Sequence, residues 1–386
     1  MDTVHFLHLL HDEIRLAQGA AKKHIIHFPS DKDYWLFNAQ FMRLRPSLLH
    51  LSSVKNLRII RAVSCSLRSD SEVLKCPWIQ AVEEDSIIRV HEIDGTMLRS
   101  NNQNKSLANT QIIPWGVGHI RAPEAWRKSM GSRVKVGVID TGIDYHHPDL
   151  QRPISRGINL LNRSLPPFDD NGHGTHIAGT IAAASRKNGI LGVAPRASIH
   201  PVKAFDYSGN AYVSDIIAGI DWCVQNRLDI INMSFGMKTF SKALEYAVLN
   251  AYQAGTIIVA SSGNDGRKAT VDYPARFQQV VSVGAVTRTN KIASFSNRGK
   301  RIDIYAPGER IYSAWLHGKY NEMSGTSMAT AHVSGVIALM LALKPSLKPQ
   351  QIKLILKRCS ISLGWGKRAG SGAGRINARR AVSALK

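Results

Sequence analysis

The stretch Val134-Lys-Val-Gly-Val-Ile-Asp140 is a run of β-branched and small residues in which apolar and polar side chains do not alternate over its length. Strands have this composition when helices cover both faces of a parallel sheet. Between such runs, apolar residues recur at three- and four-residue spacing, which indicates helices over 213–225 and 241–254. The alternation predicts an α/β fold, a parallel β-sheet flanked by helices on both faces. The other buried strand-like runs lie at 229–234, 256–260 and 280–284.

A polar segment divides the chain into two parts. Residues 94–110 are turn-prone and lack apolar periodicity, which is typical of a linker. The part before it, residues 1–93, mixes short strand-like runs with helical patterns, and a short helix is expected at 71–78. We therefore predict a small α+β domain over 1–93, the linker, and the α/β domain over 111–386. The strand-like runs of the first domain lie at 23–28, 57–63 and 86–90.

Composition limits the classes of protein. The 386 residues are 44% hydrophobic and 20% charged, which suits globular domains with large cores and is unlike a disordered chain. The richest apolar run, 335–343, has nine residues, about half of what a membrane span needs. We therefore expect no membrane span.

The formal net charge is +22, and nearly all of it lies in residues 110–386. A basic surface can attract polyanions such as nucleic acid. The basic residues are scattered, however, and clusters such as Arg298-Gly-Lys-Arg301 are short. We expect a monomer with a solvated basic surface and no nucleic-acid partner, and we keep polyanion binding as an alternative.

The N-terminus and the cysteines leave the compartment open. Residues 1–13 lack a cationic start, a sustained apolar core and a small-residue cleavage site, so no secretory signal peptide is visible. Four cysteines are too few for a disulfide scaffold, and the sequence does not choose among their three possible pairings. Buried free thiols are expected at Cys65, Cys76, Cys223 and Cys359.

Three short segments carry groups that can activate a serine. Asp140 ends a buried strand, and in open α/β sheets the reactive crevice lies outside such strand ends. His173 lies in Asn-Gly-His173-Gly-Thr-His, which opens a helical pattern. Ser327 lies in Ser-Gly-Thr-Ser327-Met-Ala-Thr before an apolar helix at 332–343, where the helix dipole favours negative charge. Each residue alone fits a cap or a loop, but together they supply an acid, an imidazole and a hydroxyl.

A fourth segment supplies an amide. Asn264, in Ser-Ser-Gly-Asn264-Asp-Gly, follows the buried run 256–260. Its side chain can donate a hydrogen bond to an oxyanion. Separate structural roles do not readily account for all four segments in this order, so the set predicts nucleophilic catalysis by a serine.

These motifs resemble those of the subtilisin-like serine proteases. Val-Ile-Asp140-Thr-Gly-Ile-Asp, Asn-Gly-His173-Gly-Thr-His and Gly-Thr-Ser327-Met-Ala match that family's three active-site blocks in the family's order. The resemblance runs from Gln111 to the C-terminus. It implies that Asp140 orients His173 and that His173 takes the proton of Ser327. It also implies that Asn264 and the Ser327 backbone N–H hold the oxyanion, in a serine endopeptidase that needs no cofactor for catalysis.

The resemblance further implies an extended substrate strand held between two segments of the enzyme. Backbone pairing of this kind gives affinity with little sequence discrimination, so broad specificity toward protein and peptide substrates is expected. The implied substrate-binding residues are Gly209, Asn210, Ala211, Ser234, Phe235, Gly236 and Gly263.

The first domain resembles the inhibitory propeptide that chaperones folding in many members of that family. This implies an autoprocessed zymogen in which residues 1–93 are the enzyme's own intramolecular inhibitor. By spacing from Val-Glu-Glu-Asp85, the primary cut is expected near His91-Glu92, with the strand 86–91 ending in the active site like a product. Exposed secondary cleavage sites are expected up to Thr110.

Three features depart from the family's pattern, and one of them is the polar stretch 92–110, which is longer than the family's usual junction. Ala331 stands where a proline is usual, which affects packing near Ser327 and removes no catalytic group. Arg186 stands where a calcium-ligating asparagine is common, and a cation is unfavourable there because such sites rely on oxygen ligands and negative charge. A structural calcium ion therefore remains open. Its implied ligands are Gln111, Asp149, Ala184, Asn188 and Ile190.

Two other functions remain open from the sequence. A catalytically silent family member would act as a binding or regulatory module, and we would expect it to have lost one of the four groups above. A polyanion-binding protein would show salt-dependent binding. The complete catalytic set favours the endopeptidase.

Overall fold

The computed structural model describes residues 2–17, 21–91, 111–185, 188–364 and 373–385. Its helices are α1 (Thr3–Leu16), α2 (Asp31–Leu44), α3 (Trp115–His119), α4 (Ala122–Trp126), α5 (His173–Ala182), α6 (Val213–Gln225), α7 (Lys242–Gln253), α8 (Thr326–Leu343), α9 (Pro349–Cys359) and α10 (Ala378–Ser383). Its strands are β1 (Lys22–His27), β2 (Lys55–Leu57), β3 (Ala62–Leu67), β4 (Ala81–Glu84), β5 (Ile87–Val90), β6 (Lys135–Asp140), β7 (Ile158–Asn159), β8 (Ser198–Lys203), β9 (Asn210–Tyr212), β10 (Ile230–Met233), β11 (Phe235–Gly236), β12 (Ile257–Ser261), β13 (Val281–Val286), β14 (Ile304–Pro307), β15 (Ile311–Ala314) and β16 (Tyr320–Met323).

The N-terminal part is a sheet with helices packed on it. Its strands lie in the order β2-β3-β1-β4 and pair antiparallel. Helices α1 and α2 contact each other over an aromatic core, in which the rings of Phe6 and Phe37 are fully buried and their centroids are 6.0 Å apart. Burial of several aromatic side chains gives this small unit a core of its own.

Two local predictions for the N-terminal part are wrong in detail. The run 57–63 is not one strand, because β2 ends at Leu57 and β3 begins at Ala62. A 3₁₀ turn at Arg58–Ile60 and the left-handed Arg61, at φ +53°, reverse the chain so that β2 and β3 can pair antiparallel. The helix expected at 71–78 is a single 3₁₀ turn, Glu72–Lys75.

The second part is built on seven parallel strands in the order β14-β13-β12-β10-β6-β8-β7. Alternate strand residues pack on opposite faces: Val136 and Val138 lie in a core shared with α5 and α8, whereas Ile139 lies in a core shared with α6 and α7. This confirms the predicted fold class, a parallel sheet between helices. The helical pattern at 213–225 coincides with α6, and that at 241–254 extends one residue beyond each end of α7.

Helix α8 runs through the centre of the second part. By length and by a mean hydropathy of 1.6 it is the one helix among the described residues that could cross a membrane, but 89% of it is buried inside the protein. A helix that is apolar on all sides is expected in a core. Ala331 lies fully buried within α8 and, unlike a proline, has a backbone N–H, so the helix continues without a break from Thr326 to Leu343.

Strand β5 joins the two parts. It is the middle strand of a separate antiparallel sheet in the order β11-β5-β9, whose outer strands belong to the second part. The predicted linker at 94–110 lies outside the described residues, so the domain boundaries stay a prediction.

Three of the four cysteines, Cys65, Cys76 and Cys223, are buried in the cores, whereas Cys359 in α9 is only half-buried, so its predicted burial is wrong. Cys65 in β3 and Cys223 in α6 are buried, with at most 2% of their surface exposed. Burial raises the pKa of Cys65 to about 12 and also raises the pKa of Cys223, because the thiolate would lose its hydration. Both side chains therefore stay protonated and unreactive.

Candidate active site

A carboxylate and an imidazole meet at the edge of the parallel sheet. Asp140 ends β6 and His173 begins α5, and both side chains are fully buried. The Oδ1 atom of Asp140 accepts a hydrogen bond from Nδ1 of His173 at 2.7 Å and another from the backbone N–H of Thr141 at 2.8 Å. This contact fixes the imidazole tautomer, because the proton on Nδ1 faces the carboxylate.

A second carboxylate organises the loop in front of His173. Asp169 is fully buried, and its Oδ1 accepts hydrogen bonds from Thr141 Oγ1 at 2.8 Å and from the backbone N–H groups of Asn171 and Gly172 at 3.0 Å. Its Oδ2 accepts from the backbone and hydroxyl of Thr175. Asp169 was not predicted from the sequence, although an aspartate just before a helix start is a known capping signal.

Ser327 is the second residue of α8 and is fully buried. Helices α5 and α8 pack against each other, so the helix starts that carry His173 and Ser327 belong to one packed unit. The Ser327 hydroxyl lies 2.9 Å from the carbonyl oxygen of Ser234 and 3.2 Å from that of His91. Its position in the first turn puts it at the positive end of the helix dipole.

Asn264 points its amide N–H at the carbonyl group of His91. Its Oδ1 accepts hydrogen bonds from the backbone N–H of Thr326 at 3.0 Å and from Thr326 Oγ1 at 2.9 Å. This fixes the orientation of the amide, because the Oδ1 side must face a backbone donor. The Nδ2 side then donates to the carbonyl oxygen of His91 at 3.0 Å.

The predicted substrate-binding segments flank a strand of the chain itself. β5 pairs antiparallel with β11, where Val90 lies opposite Phe235, and with β9, where Arg89 lies opposite Asn210. The backbone N–H of His91 donates to the carbonyl of Ser234 at 3.3 Å, and that of Val90 donates to the carbonyl of Gly209 at 3.1 Å.

Gly209 has to be a glycine in this arrangement. Its φ is +72°, which L side chains rarely adopt, and a Cβ there would lie 2.7 Å from a methyl group of Val90.

The side chain of His91 enters a buried pocket that no sequence motif predicted. Its Nδ1 lies 2.7 Å from Ser261 Oγ, and its Nε2 lies 3.0 Å from Oδ2 of Asp272. Gly236 and Gly263 form walls of this pocket. Asp272 was missed because nothing in Val-Asp272-Tyr-Pro distinguishes it from an ordinary loop aspartate.

Two further buried histidines stay neutral. Burial lowers the pKa of His176 to about 3 and that of His332 to about 4. The Nε2–H of His176 donates to the carbonyl of Ile311 at 2.9 Å, and the Nδ1–H of His332 donates to the carbonyl of Met328 at 2.8 Å. Both rings are thus held as structural donors to backbone carbonyls.

The residues implied for calcium do not fit an ion in this structure. The Oδ2 atom of Asp149 already accepts hydrogen bonds from the backbone of Ile190 at 2.9 Å and from the hydroxyl of Tyr320 at 2.7 Å. The carbonyl of Ile190 accepts from the backbone of Ser185, and Gln111 turns its Nε2 donor toward the carbonyl of Ser185 at 2.6 Å. Calcium sites need several converging oxygen atoms and negative charge.

Other observations on the loop 184–190 also do not favour a calcium ion. Ala184 contacts Asp149 through its backbone N–H, which donates to the Asp149 carbonyl at 2.9 Å. Over the described parts of the chain, no group of three His, Cys, Asp or Glu side chains could hold a metal ion. Arg186 lies outside the described residues, and Asn188 is exposed.

Comparison with known proteins gives a family for this chain. A model of the subtilase family of peptidases matches residues 131–374. Subtilisin E of Bacillus subtilis is 39% identical over 317 residues, which cover 80% of this chain and 78% of that protein. Subtilisin DY of Bacillus licheniformis is 41% identical over 66% of this chain and 93% of its own length. A thermostable alkaline protease of Halalkalibacterium halodurans is 40% identical over 74% of this chain and 78% of its own length.

Together with the fold, these matches define the class of protein as a hydrolase, a serine endopeptidase of the subtilisin type. The family model covers more than half of the chain, and the relatives cover most of it. The chain belongs to the subtilase family. The resemblance inferred from the sequence motifs is thereby confirmed.

Proposed function

We propose that the chain is a self-maturing endopeptidase in which Ser327 is the nucleophile, His173 the general base and Asp140 its orienting acid. One observation carries this proposal: the carbonyl oxygen of His91 lies 3.2 Å from the Ser327 hydroxyl and accepts the Asn264 amide at 3.0 Å. A peptide carbonyl between a hydroxyl and an amide donor is the arrangement that acyl transfer to serine requires.

In this proposal, acyl transfer to Ser327 proceeds in two stages. Ser327 Oγ attacks the carbonyl carbon while Nε2 of His173 accepts its proton, and Asp140 stabilises the resulting imidazolium through Nδ1. The developing oxyanion receives hydrogen bonds from Asn264 and from the Ser327 backbone N–H. His173 returns the proton to the leaving amine, which departs and leaves an acyl-enzyme. Water then attacks the acyl carbon while His173 accepts its proton. The bond to Ser327 Oγ breaks, the proton passes from His173 to this oxygen, and the acid product is released.

Self-cleavage falls between His91 and Glu92 in this proposal. His91 is then the residue on the acyl side of the cut, and β5 is the product strand that remains between β9 and β11. Residues 1–91 would stay bound as an inhibitor, because the same strand blocks the site for other substrates. The residues after the cut, 92–110, lie outside the described part of the chain.

Contacts of two carboxylates support the proposal that the N-terminal part stays bound as an inhibitor after cleavage. Glu83 accepts hydrogen bonds from the first backbone N–H groups of α7, those of Lys242 at 3.0 Å and Ala243 at 2.7 Å. Asp85, 3% exposed, accepts from the backbone N–H of Ser214 at 2.9 Å in the first turn of α6. Each negative charge thus lies at the positive end of a helix dipole.

Removing both carboxylates should shorten the time for which the N-terminal part inhibits. In Glu83→Ala/Asp85→Ala, the lag between self-cleavage and casein hydrolysis should fall about tenfold or more, because several charge-assisted hydrogen bonds across the contact are lost. Intact-mass analysis and a casein assay on the same samples measure both events. The matched control is Asp70→Ala/Glu72→Ala, whose carboxylates are exposed and pair only within the N-terminal part. An equal lag in both double variants would contradict the assignment.

A serine-directed fluorophosphonate tests the proposed function itself. It should label Ser327 in the mature enzyme, because the oxygen is activated by His173, and casein hydrolysis should fall in proportion to labelling. Peptide mapping by mass spectrometry locates the label. Label on another residue with loss of activity, or full activity in a fully labelled sample, would overturn the proposal.

A further inference from the structure

The pocket around the His91 side chain ends in a buried carboxylate. His91 and Asp272 are only 9% and 6% exposed at their side chains, and the Nε2 and Oδ2 atoms are 3.0 Å apart. Ser261 Oγ holds the other ring nitrogen at 2.7 Å. A charged group at this depth is stable only with a hydrogen-bonding or charged partner.

The pocket has room for the His91 imidazole because two of its wall residues are glycines. A Cβ on Gly236 would lie 2.5 Å from the His91 imidazole, and a Cβ on Gly263 would lie 2.6 Å from Oδ2 of Asp272. The missing side chains of the two glycines therefore leave space for the His91 imidazole and for its contact with Asp272.

The backbone holds Asp272 in place independently of His91. Its N–H donates to the carbonyl of Ser262 at 3.0 Å, and its carbonyl accepts the N–H of Arg276 at 2.9 Å. The guanidinium of Arg276 lies over the ring of Tyr273, 5.4 Å from its centroid. Among the residues that the structure describes, His91 is the one side chain in hydrogen-bond contact with the Asp272 carboxylate.

Departure of residues 1–91 would therefore leave a buried carboxylate at the end of an open pocket. Water can solvate this carboxylate in the open pocket, but the carboxylate would lack a counter-charge until another side chain entered. A substrate that brings a positive charge gains a Coulomb attraction there, which is stronger than in bulk water once the substrate closes the pocket. A substrate that brings an acidic side chain adds a second negative charge and is repelled.

We propose that Asp272 determines specificity by selecting a cationic side chain, lysine, arginine or protonated histidine, on the acyl side of the scissile bond. This inference rests on the proposed function, because it takes His91 as the residue that the enzyme itself cleaves after. It narrows the broad specificity expected from backbone pairing: the strands bind any extended peptide, and the pocket discriminates at one position.

A peptide series tests the inference on the mature wild-type enzyme. The peptides differ only at the residue before the scissile bond, which is lysine, arginine, histidine, glutamine, phenylalanine or glutamate. We expect kcat/KM for the lysine peptide to exceed that for the phenylalanine peptide by about 10- to 100-fold, and the glutamate peptide to be the poorest. A preference for phenylalanine, or equal rates for glutamine and lysine, would overturn the role of the charge. If the enzyme cleaved none of the peptides, the result would instead count against the proposed function.

Variants locate the preference. Asp272→Asn should reduce the lysine-to-phenylalanine ratio to about 3-fold or less while phenylalanine cleavage continues, because only the charge is removed. The control Asp265→Asn makes the same change at a carboxylate that is 44% exposed and pairs with Lys238. An equal fall in Asp265→Asn would mean that the general field of the surface sets the preference. If Asp272→Asn does not release residues 1–91, the double variant His91→Phe/Asp272→Asn provides the mature form, since it places an apolar residue at the cut.

Discussion

Replacing Ser327 with alanine should abolish peptide hydrolysis and leave the chain uncleaved at full length. The Ser327 hydroxyl lies 3.2 Å from the His91 carbonyl oxygen and is the nucleophile of the proposed function. In subtilisin, loss of the corresponding serine lowers kcat by about 10⁶-fold, and a fall of that order is expected here. Side-by-side intact-mass analysis of the wild type and Ser327→Ala measures the conversion.

The matched control for this variant is Ser334→Ala in the same helix. Ser334 is buried, and its hydroxyl donates to Asn232 Oδ1 at 2.8 Å, away from the His91 carbonyl. This control should still mature and hydrolyse casein. A Ser327→Ala protein that trims itself to a form beginning at Glu92, in the absence of any added protease, would refute both the nucleophile and the self-cleavage.

The second large effect is expected at Asn264. Asn264→Leu should lower kcat by about 10²- to 10³-fold with little change in KM, because the amide donates to the oxygen that becomes negative in the transition state. That magnitude is the one measured for the equivalent residue of subtilisin, and the geometry here supplies the reason to expect it: Nδ2 lies 3.0 Å from the carbonyl oxygen. Steady-state kinetics on one chromogenic peptide separate kcat from KM.

A second variant distinguishes the hydrogen bond that Asn264 donates from the hydrogen bonds that hold its side chain in place. Thr326→Val removes only the hydroxyl that donates to Asn264 Oδ1 and keeps the backbone N–H that donates to the same atom. Its kcat should fall much less than that of Asn264→Leu. If the two variants lose activity equally, Asn264 acts by holding the start of α8 and not by stabilising the oxyanion.

The fold was predictable from sequence wherever burial imposes a pattern. A strand buried on both faces excludes polar residues, so the run at 134–140 predicted β6 almost to the residue. Helix α6 was predicted with its bounds, because its apolar stripe faces the sheet while its other positions do not. The β2–β3 reversal was missed because it depends on the left-handed Arg61, a conformation that arginine rarely adopts and that no local pattern signals.

The candidate site was predictable in part for a similar reason. Asp140, His173, Asn264 and Ser327 lie in long motifs in which glycine and small residues surround the reactive group. Asp272 lies in no such motif, and its side chain contacts His91, which is 181 positions away in the chain. Contacts between distant segments depend on the tertiary fold, so neither spacing nor composition indicates them.

The position of β5 between β9 and β11 has a consequence for what the enzyme can digest. A polypeptide that takes the place of β5 must be extended over four or five residues, a length of about 13–17 Å. Helices and compact turns do not present their backbone in this form, so a native protein is cut only where a segment can detach from its own fold. Susceptibility should therefore follow the local opening free energy of the substrate: a target with tightly protected amides would survive beside an active enzyme, and one loosened by heat or mutation would not.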